Sequence, residues 1–307
     1  MKKRRSALGL LLITAVLLTG WLVGSAFPQT PPSKTIEELY PGLASDVLKL
    51  AVPAKLPTGV LLSAGEFSIK ESEISRVIKG SEAGLRRQLS QNAFFLLENM
   101  ATKGLILQEA RKAGITQGTD KQMINDFFSK TIKVPPVTEE EIKHFYQQNK
   151  ETIGSAPLDQ IRGMLKEYLA QQKRQEAVRQ YLLTLGQRTS IQINEVWLKK
   201  QATLALNNPV DRARRSGKPT MAEFGATGCV PCDMMAPILE DLKKKYSDKI
   251  NVLFVHVGQE QILGARFGIQ GIPVQVFFDK TGKEVFRHIG FFPQNELEKK
   301  MKELGFI

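Results

Sequence analysis

The sequence predicts a multi-domain chain: an N-terminal signal or anchor segment, a mostly α-helical middle domain and a C-terminal α/β domain. Three observations carry this. A basic N-terminus runs into an apolar stretch ending at Phe27. From 60 to 195 apolar residues recur at helical spacing without a cysteine, and from Asn208 short apolar strands alternate with helices around Cys229-Val230-Pro231-Cys232. The boundaries are 1–27 for the signal peptide or transmembrane anchor, 28–59 for a linker and 60–195 for the helical domain. A second linker covers 196–207, and the α/β domain 208–307. With 307 residues, 42% hydrophobic and 24% charged, the composition excludes a disordered, collagen-like or disulfide-scaffold protein.

The net charge of +12 points to nucleic acid only until it is partitioned. Lys2, Lys3, Arg4 and Arg5 supply part of it, and the remainder is dispersed among acids, so no nucleic-acid partner is expected. Ala7 to Phe27 is uncharged and ends near Gly24-Ser25-Ala26. This reads as a cleaved export signal or a retained single-pass anchor, with the basic end in the cytoplasm and the rest exported. With no cysteine in this segment, a lipid-modified cysteine is excluded. Pro28, Pro31 and Pro32 then open an extended linker.

In the middle, Val60 to Phe67 reads as a short strand and turn, and Ser68 with Glu71 has capping-box spacing before Ile74, Val77 and Ile78. A longer helix is expected from Glu82 to Ala113 on Leu85, Leu89, Phe94, Leu97, Met100, Leu105 and Leu107, stopped by Gly114. A third covers Lys121 to Lys130. After Val134-Pro135-Pro136-Val137, Thr138 with Glu141 makes a capping box for the helix Glu139 to Asn149. Pro157 starts a last long helix to about Gln187, and Ser190 to Asn194 is a short strand. His144 has no ligand partner at helical spacing and reads as a surface or satisfied residue. Lys166, Lys173, Arg174 and Arg179 alternate with Glu167 and Glu176 as a solvated helix face.

Gly65-Glu66-Phe67-Ser68-Ile69, Leu105 to Ile115 and Val137 to Tyr146 resemble the N-terminal helical region of SurA-like periplasmic chaperones and foldases. In those foldases the last of these helices leads into a parvulin prolyl-isomerase domain. Here only Gln147 to Pro157 separates it from the next helix, so isomerase activity is not implied. The resemblance implies binding of unfolded exported polypeptides; a helical spacer or dimerisation module is the alternative.

The C-terminal hundred residues carry the chemistry. Asp211 to Ser216 is a basic helical turn, Thr220 to Phe224 an apolar strand, and Gly228-Cys229-Val230-Pro231-Cys232 opens a helix to about Tyr246. Ile250 to Val257 is a second strand, and a helix holds Ala265, Arg266 and Phe267. Val274 to Phe278 and Val285 to Ile289 form a hairpin through Asp279-Lys280-Thr281-Gly282, before a closing helix from Glu296 to Leu304. The chain has only two cysteines, Cys229 and Cys232. Zinc needs about four ligands, and three scattered histidines do not supply them, so neither a metal nor any cofactor is expected. A loop this short makes a poor structural staple. At a strand-to-helix junction, Cys229 faces the helix's positive end, which favours thiolate, while Cys232 lies one turn in.

Ala222-Glu223-Phe224-Gly225-Ala226, Cys229 to Met235, Pro237-Ile238-Leu239-Glu240, Phe267 to Pro273 and Gly290 together resemble thioredoxin. The resemblance implies that Pro273 is cis and that the Ile272 backbone docks the substrate strand. It also implies that Glu223 is a buried acid accepting the proton of the resolving thiol; a partly exposed edge-strand glutamate is the alternative. There are departures. Gly225 and Gly228 stand where thioredoxins carry tryptophans, which predicts a barer rim. Phe254 replaces the lysine that accompanies the buried acid and should raise the acid's pKa. Val274 follows the proline in place of threonine, and Val230-Pro231 replaces Gly-Pro. His256 and His288 are expected to be structural.

The expected function is periplasmic thiol–disulfide exchange through the Cys229–Cys232 pair. The expected partners are protein thiols and disulfides, unfolded exported polypeptides and a membrane redox protein. A holdase using the α/β domain for docking, or a dedicated electron relay for apocytochrome maturation, are the alternatives. No phosphate loop, paired catalytic carboxylates or Ser-His-Asp set competes with the dithiol.

Overall fold

Thr35 opens the first helix of the described residues as a capping box. Its hydroxyl accepts from the Glu38 N–H at 3.3 Å, and its own N–H donates to Glu38 Oε2 at 2.7 Å. The structure, a computed structural model, describes residues 33–148, 150–153 and 156–307. The expected signal or anchor at 1–27 and the first residues of the linker lie outside these. Among the described residues no helix is long and apolar enough to cross a membrane.

From Ser33 onward the expected linker is instead part of the core. After α1 (Ile36–Leu39) come irregular turns and then β1 (Val52–Ala54). Ile36, Leu43, Val47, Leu48 and Ala51 are buried together. These apolar residues follow neither a period of 2 nor of 3.6, which is why no element is evident from their pattern. β2 (Val60–Ala64) and β3 (Phe67–Lys70) form a hairpin. Ser68 therefore sits in a strand, and the Ser68–Glu71 capping box does not form. The Lys70 N–H donates to Glu73 Oε1 at 3.0 Å at the start of α2 (Glu71–Gly80).

The single helix expected from Glu82 to Ala113 is two, α3 (Ala83–Gln91) and α4 (Ala93–Lys112). Asn92, at φ −118° and ψ 36°, breaks the run, and its side chain donates back to the Gln88 carbonyl at 3.0 Å. α5 (Asp120–Thr131), α6 (Glu139–Gln148), the short α7 (Lys150–Ile153) and α8 (Leu158–Arg188) follow. The Thr138–Glu141 capping box at α6 does form.

β4 (Gln192–Asn194) lies between β1, to which it is parallel, and β2, to which it is antiparallel, giving the sheet order β1-β4-β2-β3. The middle region is thus helical with a small sheet. The C-terminal end of α8 rests directly on the 43–48 turns: a Cβ on Gly186 would lie 2.4 Å from the Val47 carbonyl oxygen. The second expected linker is α9 (Glu195–Ala205), capped by Asn194, which accepts from the Trp197 N–H at 3.0 Å. Its Leu198, Ala202 and Ala205 join the same core.

The C-terminal domain comprises α10 (Pro209–Arg214), β5 (Thr220–Gly225), α11 (Val230–Lys245), β6 (Asn251–His256), α12 (Gln261–Arg266), β7 (Val274–Phe278), β8 (Glu284–Ile289) and α13 (Gln294–Glu303). Its sheet runs β6-β5-β7-β8, with β6 parallel and β7 antiparallel to the central β5. Every residue of β5 is buried. On one face Met221 and Phe277 pack with Met235, Leu239, Leu297 and Met301 of α11 and α13. On the other Ala222, Phe224, Val276 and Phe278 pack with Val210 and Leu263 of α10 and α12.

A buried charge cluster joins this second face to the preceding region. Arg266 pairs with Asp211 at 3.1 Å and donates to the Ala205 carbonyl at 2.9 Å. Asp211 also pairs with Arg214 at 3.0 Å, whose Nε donates to the Gly282 carbonyl at 2.9 Å. With each charge paired and hydrogen-bonded, burial is tolerated. Gln88 of α3 adds two bonds around the start of α12, donating to the Gln259 carbonyl at 2.8 Å and accepting from the Ile262 N–H at 3.1 Å. Ser33 to Ile307 accordingly forms one compact unit.

Candidate redox active site

β5 ends at Gly225, and four residues later Cys229 takes the N-cap position of α11, with φ −92° and ψ 106°. Its carbonyl already accepts the first helical bond, from the Asp233 N–H at 2.9 Å. Proline within the first turn costs no hydrogen bond there, because those N–H groups have no partner in the helix. Cys229 and Cys232 are joined as a disulfide with Cα atoms 5.2 Å apart. The two sulfurs are unequal. Cys229 is partly exposed at the helix's positive end, whereas Cys232 is buried at 3% exposure.

Cys232 packs closely over Gly225. A Cβ built on that glycine would lie 3.4 Å from Cys232 Sγ and 2.9 Å from Cε2 of Phe254. The expected bareness of the rim therefore holds at Gly228, which is exposed, but not at Gly225. There the half-exposed ring of Phe254, reaching across from β6, occupies the space a larger side chain would need.

Glu223 lies two residues before Gly225 and so faces the same side of the sheet, beneath α11. It is fully buried, which disposes of the edge-strand alternative. Its strand neighbours at the same level are Phe254 on β6 and Gln275 on β7, and neither carries charge. Gln275 Nε2 donates to Glu223 Oε2 at 3.3 Å, and Glu223 Oε1 has no partner among the described residues. Burial pushes the Glu223 carboxyl up to about 7, with the Gln275 bond pulling the other way. Among the described residues no cation stands beside the acid, in keeping with the effect expected from Phe254.

The Ile272–Pro273 peptide bond is cis. Phe224 pairs with Val274, so Pro273 stands level with Gly225, the residue against which Cys232 packs. Pro273 is buried, its carbonyl accepting from the Gly290 N–H at 2.8 Å, while Ile272 is half-buried. All five expected site residues thus converge at one end of the sheet. Two neighbours were not expected to matter. His256 is level with Gly225 on β6 and accepts the Thr227 N–H at 3.2 Å through Nε2, holding the loop that leads to Cys229. Gln175 of α8 donates to Gln270 Oε1 at 2.8 Å, which brings the helical region to within two residues of Ile272. His288 is structural as expected, stacked on Phe292 at 4.0 Å with Nε2 bonded to the Phe291 carbonyl, and burial holds its pKa below the ordinary range.

Comparison with known proteins agrees with this geometry. The thioredoxin-like domain family matches residues 206–305. A thioredoxin from Alicyclobacillus acidocaldarius subsp. acidocaldarius is 34% identical over 104 residues, covering 34% of this chain and 98% of the relative. The chain belongs to the thioredoxin family. A thiol:disulfide interchange protein TxlA homolog from Synechocystis sp. is 35% identical over 115 residues, 37% of this chain and 63% of that protein. The thioredoxin-like protein HCF164, chloroplastic, of Arabidopsis thaliana is 34% identical over 100 residues, 32% of this chain and 38% of that protein. The thioredoxin match begins at residue 206 and leaves the preceding region without a family assignment. The protein is a thioredoxin-family oxidoreductase whose active-site disulfide is Cys229–Cys232.

Proposed function

We propose that this thioredoxin-family protein is an exported, membrane-tethered thiol–disulfide oxidoreductase whose helical region holds unfolded clients beside the dithiol. In the reducing direction, the Cys229 thiolate attacks one sulfur of a substrate disulfide, and the other leaves as a thiolate. The Cys232 thiol then gives its proton to the Glu223 carboxylate and attacks Cys229 Sγ. This closes the Cys229–Cys232 disulfide and releases the second substrate thiolate, so the substrate gains the two electrons the pair loses. Run backwards, the same steps oxidise a client. Ile272 and Pro273 hold the client backbone during both.

The observation that carries the assignment of roles is the unequal burial of the two sulfurs. Only Cys229 is reachable by a protein disulfide, while Cys232 sits over Gly225 on the side of the sheet where Glu223 lies. The Gln175–Gln270 bond supports a shared client path, because a chain held along α8 would lie next to the docking segment at high effective concentration. Lys2 to Arg5 and the uncharged run to Phe27 support export and tethering.

Replacing Cys229 by Ser should abolish insulin reduction, and retention of full activity would sink the nucleophile assignment. A Cys232→Ala chain accumulates mixed disulfides. Many trapped clients support coupling to unfolded polypeptides, and a single dominant one supports a dedicated electron relay instead. Fractionation of cells producing the intact chain should place it in the membrane fraction, with the dithiol accessible from outside the cytoplasm.

A further inference from the structure

Four residues in strict register form a row across the sheet beneath α11: Phe254 on β6, Glu223 on β5, Gln275 on β7 and His288 on β8. The two central members are fully buried and both polar. An amide costs free energy to bury unless it is bonded, yet Gln275 occupies a sheet position where an apolar residue would pack without that cost. Its only side-chain bond is the one to Glu223 Oε2, and its own Oε1 has no partner among the described residues. The amide is therefore placed for the acid and for nothing else. It can donate N–H to the carboxylate and has an acceptor to offer once the acid carries a proton.

We propose that Gln275 is a positioning residue that orients the Glu223 carboxyl and sets how readily it takes the Cys232 proton. It does from β7, by a neutral hydrogen bond, what a cation on β6 is prevented from doing by Phe254. The inference rests on Glu223 being the acceptor of that proton. The other titratable groups on this face are His256 at the β6 end, His288 on β8 and the cysteines of α11. At the far end, Lys300 lies over Phe286 and Glu298 pairs with Lys245. His288 bonds the Phe291 carbonyl and His256 the Thr227 N–H, so neither replaces Gln275 as the partner of the acid.

The experiment is a pH titration of redox-difference infrared spectra on the full chain, following the C=O stretch of a protonated buried carboxyl. Glu223→Gln identifies the band: it should vanish in that variant, and its persistence would overturn the role of Glu223 itself. Gln275→Met and Gln275→Leu each remove the amide with little change in volume, so agreement between them separates loss of the amide from repacking. In both, the midpoint should move up by about one pH unit, as expected for losing one hydrogen bond to a charged group. The band should also move to higher frequency, because the carbonyl no longer accepts an N–H. A band that vanishes in Glu223→Gln but keeps midpoint and frequency in both Gln275 variants overturns this proposal while leaving Glu223 in place.

Discussion

Each region of the molecule buries one glutamate in its core, and the two are treated in opposite ways. Glu98 of α4 is 4% exposed and receives the N–H of Ser45 at 3.0 Å to both oxygens and that of Asp46 at 3.1 Å. Burial holds its carboxyl above the ordinary range, with these N–H groups pulling the other way. Glu223 is buried as completely but has one long bond from an amide and a bare oxygen. The first acid is a clasp: it terminates the backbone of an irregular turn that has no helix to satisfy it. The second is left short of partners, and a buried acid short of partners exchanges protons near neutral pH. The two acids are alike in depth and differ in the number of donors that reach them.

Breaking the clasp should have the largest effect. Glu98→Ala leaves the part-buried Ser45 and Asp46 N–H groups without their carboxylate and should cost about 3 kcal/mol, read as a lowered midpoint in denaturant. Intact stability would show that the turn finds other partners. Glu223→Gln should act in the opposite direction. The folded carboxyl titrates at about 7, above its ordinary 4.5, so between those values the native state binds more protons than the unfolded chain. Stability then falls as pH rises through that window. The neutral variant escapes the loss, so it should be more stable than the parent by about 3 kcal/mol at pH 8 and equal to it below pH 4.5. Its disulfide exchange should nonetheless slow about 10²-fold, checked by insulin turnover.

Phe254→Lys tests the comparison from the other side, by giving Glu223 a charge partner. The inflection in its pH profile should drop by at least about one unit. An unmoved profile would mean the introduced ammonium turns to solvent. The smallest expected change is in Gln175→Ala. Stability should stay within about 0.5 kcal/mol and reduction of a small-molecule disulfide should be unaffected, while exchange with an unfolded protein slows. Equal rates on both substrates would separate the helical region from catalysis.

The two regions also differ in how much of them is legible in the sequence. The dithiol and the strand–helix order around it are local patterns, each readable within a few neighbouring residues, and the cis proline follows from the resemblance they carry. Gln275 and His256 are not, because their roles exist only in register with Glu223 and Gly225 on another strand. Before residue 206 the long helices follow from their periodicity. The segment 33–59 does not, since Ile36 enters the core from a single-turn helix and Val47 and Leu48 from turns, without a repeat. The break at Asn92 is likewise hidden inside a run whose apolar spacing continues through it.

The parallel pairing of β1 with β4 has a consequence for the order in which the chain matures. Val52 finds its partner only at Gln192, so the small sheet lacks the strand that joins β1 to β2 until almost the whole region has emerged from the ribosome. Until then β1 and β2 present open edges and the core around Val47 is exposed, the kind of surface that invites aggregation. The cysteines follow later still, at 229 and 232. By the time they emerge, the preceding region already has the segment needed to close its own sheet.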